Sequence, residues 1–211
     1  MSNERTIKIT IYVLIALLLG FGIFVYANSK ANWIRGNNPS SYEYSNGETR
    51  FLITNIKEQN YVGSQIRFYL PKSDQPYLLD LRYGPLQLED VEIDRTIKQR
   101  LLDDKQIFIT IDPKAGLTGK TTIAALEITK VLNNEYFFHI PVNASMISPY
   151  RDYAVKTCED ANQFETVMWF RLGEENSVKA DRNCVILTGK TEEDLIREAD
   201  RLALYLLGIM K

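Results

Sequence analysis

One stretch of the chain has residue types that can bind a phosphate. A strand-like run ends at Asp112 and leads into a loop that finishes with Gly119, Lys120 and Thr121. A phosphate-binding loop uses backbone N–H groups at a helix N-terminus, a lysine for the terminal phosphates and a hydroxyl for Mg²⁺. These three residues match the second half of that pattern and are the cofactor-binding candidates.

The first half of the phosphate-binding pattern is missing. The leading glycine of Gly-x4-Gly-Lys-Ser/Thr would stand at position 114, which is Lys114. Residues 114–122 resemble the deviant loop of MinD-type ATPases, with one extra residue and Ala115 in place of a glycine. No later run of four apolar residues ends in an aspartate that could hold the metal. We therefore expect no cofactor, and we favour a polar loop in which Thr118 or Gly119 caps a helix.

Other candidate catalytic residues are isolated. His139 is the only histidine and lies in a strand-like run, so a histidine triad or zinc site would depend on it alone. Asp112 ends a strand, where α/β proteins place functional groups, but Asp112-Pro113 is also a common turn. A carboxylate hydrolase would need a second carboxylate within about 5–9 Å. No catalytic residue and no metal site is assigned.

The cysteines and one asparagine bear on the compartment. Cys158 and Cys184 are too far apart for a C-x-x-C redox motif. An even count in an oxidising compartment favours one disulfide, and the alternative is two separate buried thiols. The triplet Asn143-Ala144-Ser145 is a glycosylation acceptor that is usable only if the domain is exported.

Residues 9–27 are uncharged and long enough to cross a bilayer as a helix. Because this run exceeds the usual h-region, we favour a retained anchor over a cleaved signal peptide, although Val25-Tyr26-Ala27 is a small-x-small site. A tail of residues 1–8 is most simply left in the cytoplasm, which places the C-terminal domain outside the cell membrane.

Composition limits the remaining choices. The chain has 25 Lys+Arg against 27 Asp+Glu and a net charge of -2, so a nucleic-acid partner is not expected. Residues 28–49 are rich in Asn, Ser and Gly, which is typical of a flexible linker. Residues 50–211 have a uniform composition and suit one domain.

Apolar periodicity predicts an α/β or α+β domain with one mixed sheet and about three helices. Helices are predicted over 89–103, over 119–133 and from Thr191 onward, where Thr191 to Asp194 resembles a capping box. The strands near 77–81, 106–111 and 136–142 are expected to be parallel neighbours. Seven strands are predicted: Phe51–Ile56, Gln65–Leu70, Tyr77–Leu81, Gln106–Ile111, Tyr136–Val142, Thr166–Leu172 and Cys184–Thr188.

The C-terminal third resembles small membrane-anchored archaeal proteins without an assigned activity. The segments that carry the resemblance are 157–162, 167–173, 183–186 and 199–209. The resemblance implies a cell-membrane anchor, an uncharacterised outer domain and a structural pairing of Cys158 with Cys184. It implies no catalytic residue.

The sequence as a whole favours a single-pass membrane protein that presents an extracytoplasmic domain for binding or structural assembly. Its partners would be the membrane and either envelope proteins or other copies of the chain. The alternative is a membrane-tethered nucleotide-binding protein whose cytoplasmic domain uses the 112–122 loop. Many tyrosines follow the anchor, and tyrosine is favoured at binding surfaces.

Overall fold

A computed structural model describes residues 41–211 apart from 59–60, 71–72 and 103–105. The domain is α+β, with two β-sheets and three α-helices. The predicted tail and membrane span lie outside the described residues, as does most of the predicted linker. β1 occupies Ser41–Ser45, inside the range 28–49 that the sequence assigns to the linker.

The first sheet is a four-stranded antiparallel meander in the order β1-β2-β3-β4. Its core-facing positions alternate with exposed ones, and Ile53 is paired with Ile66, both fully buried. Its strands are β1, β2 (Arg50–Glu58), β3 (Tyr61–Tyr69) and β4 (Pro76–Leu81).

The second sheet has six strands in the order β7-β6-β5-β8-β10-β9. All neighbours are parallel except β9, which is antiparallel to β10 at one edge. The strands are β5 (Gln106–Ile111), β6 (Val142–Met146), β7 (Ala154–Val155), β8 (Glu165–Leu172), β9 (Ser177–Asp181) and β10 (Cys184–Gly189).

Three α-helices complete the domain: α1 (Ile97–Leu102), α2 (Gly119–Leu132) and α3 (Glu192–Leu206). Thr118 caps α2 and accepts a hydrogen bond from Lys120 N, as the favoured polar-loop interpretation predicts. Thr191 and Asp194 form the predicted capping box of α3. Helix α2 follows β5 after a loop, and α3 follows β10 after a short turn. The N-termini of both helices therefore lie at the carboxyl edge of the second sheet.

A single hydrophobic core joins both sheets and all three helices. Leu79 of the meander, Ile128 of α2, and Met168 and Val185 of the second sheet belong to it. At about 25 cal/mol for each Å² of apolar surface removed from water, this shared core is the main stabilising contribution to the domain.

Several predicted elements are wrong. The single mixed sheet is two sheets, and the strand near 77–81 belongs to the meander instead of lying beside β5. Residues 136–138 form a turn, residues 139–141 have no regular secondary structure, and the strand begins only at Val142. The helix predicted over 89–103 is limited to Ile97–Leu102.

Candidate functional site

The candidate phosphate loop binds a carboxylate of the same chain. Glu192, the first residue of α3, accepts hydrogen bonds from Thr118 N at 2.8 Å and Thr121 N at 3.0 Å. The hydroxyls of the same two threonines also donate to it, at 2.9 and 2.7 Å. Glu192 therefore occupies the anion position at the N-terminus of α2.

Electrostatics at Glu192 agree with this geometry. Partial burial alone would raise the pKa of Glu192, but hydrogen bonds from Thr121 and Thr118 outweigh burial and hold the pKa below its usual value. The carboxylate is therefore charged at neutral pH and compensates the positive end of the α2 dipole.

The lysine of the loop is also paired within the domain. Lys120 Nζ lies 2.9 Å from a carboxylate oxygen of Glu193, and the Tyr83 hydroxyl donates to the same carboxylate. These two hydrogen bonds lower the pKa of Glu193, and the bond from Tyr83 has the larger effect. Gly119, Lys120 and Thr121 do lie together at a helix N-terminus, but Lys120 and Thr121 interact with acidic residues of α3.

Asp112 and His139 lie apart from this loop chemistry. Asp112 Oδ1 accepts the Lys114 N–H at 2.8 Å, so the carboxylate closes a turn. His139 is exposed in the loop before β6, with a positive φ of 53°. Among the described residues, no three His, Cys, Asp or Glu side chains are grouped so that they could hold a metal ion.

The predicted disulfide is confirmed. Cys158 and Cys184 are bonded; their Cα atoms are 5.1 Å apart, and the two residues are separated by 26 positions in sequence. The bond fastens the 3-10 turn Cys158–Asp160 to the first residue of β10. Closing a loop of this length contributes about 3 to 4 kcal/mol in the chain-entropy treatment.

Two buried carboxyl groups of α3 are absent from the sequence predictions. Glu198 and Asp200 are both fully buried. Burial, followed by repulsion from Glu127, raises the pKa of Asp200, against the N–H donors of Tyr83 and Arg82. Glu198 is spaced like a surface residue of an amphipathic helix, and only the contact between α3 and the start of β9 reveals that it is buried.

A groove with a volume of about 510 Å³ lies beside β4, an edge strand of the meander. Its walls are Ile56 and Tyr61 at the hairpin end of the meander, residues 77–80 of β4, and Lys130 and Asn134 at the end of α2. We call this region the β4 groove.

Aromatic side chains flank the β4 groove. The Asn134 side-chain amide donates to the Tyr77 hydroxyl at 2.8 Å. The ring centroids of Tyr77 and Tyr136 are 6.1 Å apart, and Tyr136 is 62% exposed. Tyr61 lies under the Arg82 guanidinium, and burial raises its pKa to about 12.

Main-chain groups of β4 face the groove. In an antiparallel strand, alternate residues direct their N–H and C=O groups toward the neighbouring strand or away from it. Lys130 Nζ donates to the carbonyl oxygen of Asp80 at 3.1 Å, so the main-chain N–H and C=O of Asp80 point away from β3. Leu78, two residues earlier and 46% exposed, has the same orientation.

Both edges of the second sheet are protected. β9 is covered by residues 92–94, where Asp94 N donates to Val178 O at 3.0 Å. β7 is only two residues long, which is another way to avoid unwanted strand pairing. The meander has two edge strands, β1 and β4, and β4 lies beside a groove, so we take the six-residue edge of β4 as the candidate binding surface.

Comparisons with known proteins give no relative for this chain. No protein-family model, no curated protein and no solved structure matches it. Among the residues described, no helix has the length and apolar character needed to cross a bilayer. The resemblance to archaeal membrane-anchored proteins stays a prediction, as do the span over 9–27 and the membrane location.

Proposed function

We propose that this protein is a single-pass membrane protein whose C-terminal domain lies outside the cytoplasm and binds other envelope proteins. The observation that carries the proposal is the bond between Cys158 and Cys184. Stable disulfides are typical of exported domains and rare in reducing cytoplasm. The apolar run over 9–27 supplies the anchor in this proposal.

We assign binding to the β4 groove, with an extended segment of a partner protein as its occupant. Such a segment would add a strand to the meander by bonding to Leu78 N–H and C=O. A groove bordered by the projecting side chains of Lys130, Asn134 and Tyr136 favours a single strand over the broad edge of a second domain copy. Tyr77 and Tyr136 offer aromatic surface for its side chains.

The compartment is tested by alkylating the full chain in native membranes without reductant and measuring its intact mass. We expect no alkylation, and two additions after reduction, because both thiols are bonded. Two additions without reductant would contradict export. Loss of the domain to protease added outside intact cells, with no loss from inverted vesicles, is the expected orientation result.

The groove is tested with a matched pair of variants, Leu78→Pro and Leu78→Ala. Proline removes an N–H that points away from β3, so it leaves the ladder to β3 intact, while alanine keeps the N–H and shortens the side chain. Linear peptides selected from a random display library on the full chain should bind Leu78→Ala. Their affinity for Leu78→Pro should fall at least about 10-fold, since one main-chain hydrogen bond is lost.

Two results would contradict this assignment. One is equal binding of the selected peptides by Leu78→Pro and the unaltered chain, and the other is failure to select any peptide. Sedimentation could also show a dimer of the full chain that Leu78→Pro dissociates. The groove would then bind a second copy of the chain instead of a partner protein. The nucleotide alternative receives no support from the geometry, because Glu192 and Glu193 engage the loop.

A further inference from the structure

A glycosylation acceptor lies on an accessible face of the second sheet. Asn143-Ala144-Ser145 is the only Asn-x-Ser/Thr triplet in the chain whose middle residue is not proline. It falls within β6, and Asn143 is exposed. The Asn143 amide is therefore free of the packing that would exclude a bulky group.

Register shows which face Asn143 occupies. Asn143 is paired with Phe108 of the parallel neighbour β5, so their side chains share a face. Ile107 and Ile109, on either side of Phe108, point into the core that contains all three helices. Asn143 therefore lies on the face opposite the helices.

Among the described residues, a loop segment and not an α-helix covers this face near Asn143. Parallel sheets are normally covered by helices on both faces. Near Asn143, this face of the sheet is covered by the segment that includes Lys156. The Lys156 Nζ atom lies 4.6 Å from the centre of the Phe108 ring. A saccharide on Asn143 would extend over this side of the sheet without displacing a helix.

The third residue of the triplet sets the time of modification. Ser145 is 1% exposed, and its hydroxyl donates to the carbonyl oxygen of Ile109. A transferase that must engage the serine hydroxyl cannot reach it once β6 has paired with β5. Transfer of a saccharide to Asn143 would therefore have to precede the pairing of β6 with β5, during or soon after export.

We propose that Asn143 carries an N-linked oligosaccharide, a proposal that rests on the export included in the proposed function. The donor is a lipid-linked oligosaccharide, and a membrane-bound oligosaccharide transferase catalyses the reaction. The bond between the anomeric carbon and the lipid phosphate breaks, and a bond from that carbon to Asn143 Nδ2 forms. The amide loses one proton and the lipid phosphate departs, so no oxidant or reductant is needed.

The test is peptide mass spectrometry on the full chain purified from native membranes. Trypsin releases residues 131–151, which contain Asn143 and another exposed asparagine, Asn133. We expect this peptide to carry added saccharide mass, Asn143→Gln to abolish the addition, and Asn133→Gln in the same peptide to retain it. Both substitutions are at exposed positions, so folding is preserved.

Cysteine state, measured on the same sample, separates the two proposals. An unmodified 131–151 peptide from protein whose thiols resist alkylation would overturn glycosylation and leave export standing. An unmodified peptide together with two alkylated thiols would overturn both. Saccharide that persists in Asn143→Gln would place the glycan elsewhere and also overturn the assignment.

Discussion

Glu192 is the residue that closes the loop before α2. Replacing it with glutamine keeps the shape but removes the charge and presents an amide to four hydrogen-bond donors. We expect the free energy of unfolding to fall by about 1 to 3 kcal/mol. Urea unfolding measures this, with exposed Glu135→Gln as a control that should change stability little.

The same site has a pH dependence with a definite sign. Because the folded pKa of Glu192 is lower than normal, its stabilising contribution is present above the unfolded pKa and is lost as pH falls through the folded value. The loss from Glu192→Gln should therefore shrink below about pH 4. A loss that is the same at acid and neutral pH would show that the charge of Glu192 contributes nothing.

At the residue scale, the sequence predicts an interaction when a residue has few possible partners. It does not predict an interaction between residues that are far apart in the sequence. Two cysteines in one chain leave only one possible intramolecular bond, so Cys158 and Cys184 could be predicted. Glu192 is 71 and 74 positions from its hydrogen-bond partners, Thr121 and Thr118. No local pattern links them, so the occupied anion position could not be anticipated.

At the scale of elements, strong periodicity predicted α2, α3 and six of the strands. The strand predicted over 136–142 failed because apolar residues there are aromatic side chains of a turn. Asn134 Oδ1 accepts the Tyr136 N–H, and Asn134 O accepts the His139 N–H, which folds the chain back on itself. Phe137 instead packs edge-on against Tyr77, 4.8 Å between ring centres.

The packing of β3 against β4 and Tyr61 requires a glycine at position 63. A Cβ there would lie 2.5 Å from both the Leu81 carbonyl oxygen and the Tyr61 hydroxyl, which are hydrogen-bonded to each other. We expect Gly63→Ala to lower the free energy of unfolding by about 1 to 3 kcal/mol, because Tyr61 must move.

Gly119→Ala is the matched control for Gly63→Ala. A Cβ at Gly119 meets no atom within 4 Å, and the residue begins α2. Alanine there should be neutral or stabilising by up to about 1 kcal/mol, since helix propensity improves. Thermal unfolding of both variants checks the pair, and equal destabilisation would refute the steric argument at Gly63.

At the scale of the whole molecule, the sequence did not show that the strands divide between two sheets. The alternation of apolar and polar residues in Phe51–Ile56 and in Gln106–Ile111 predicts that one face of each strand is buried. It does not predict which strand lies beside it. That choice depends on the short β2–β3 hairpin, which keeps pairing local, and on α2, which returns the chain from β5 to β6. The shared core on α2 and α3 then holds both sheets in one domain.

The buried carboxyl of Glu198 predicts how stability of the whole domain depends on pH. Burial, followed by repulsion from Asp194, raises its pKa to about 9, although Ser177 N–H and Arg197 favour the charged form. The unfolded value is about 4.3. Because the folded pKa is higher, the native state binds the proton more tightly, and stability falls as pH rises from about 4 toward 9.

Glu198→Gln isolates this contribution. Glutamine can still accept the Ser177 N–H and has no charge to bury, so its unfolding free energy should decline less steeply between about pH 5 and 9. Asp200 remains in the variant, and its raised pKa leaves part of the slope. Chemical unfolding at several pH values measures both curves. Parallel curves for the two proteins would show that Glu198 does not hold a proton in the folded domain.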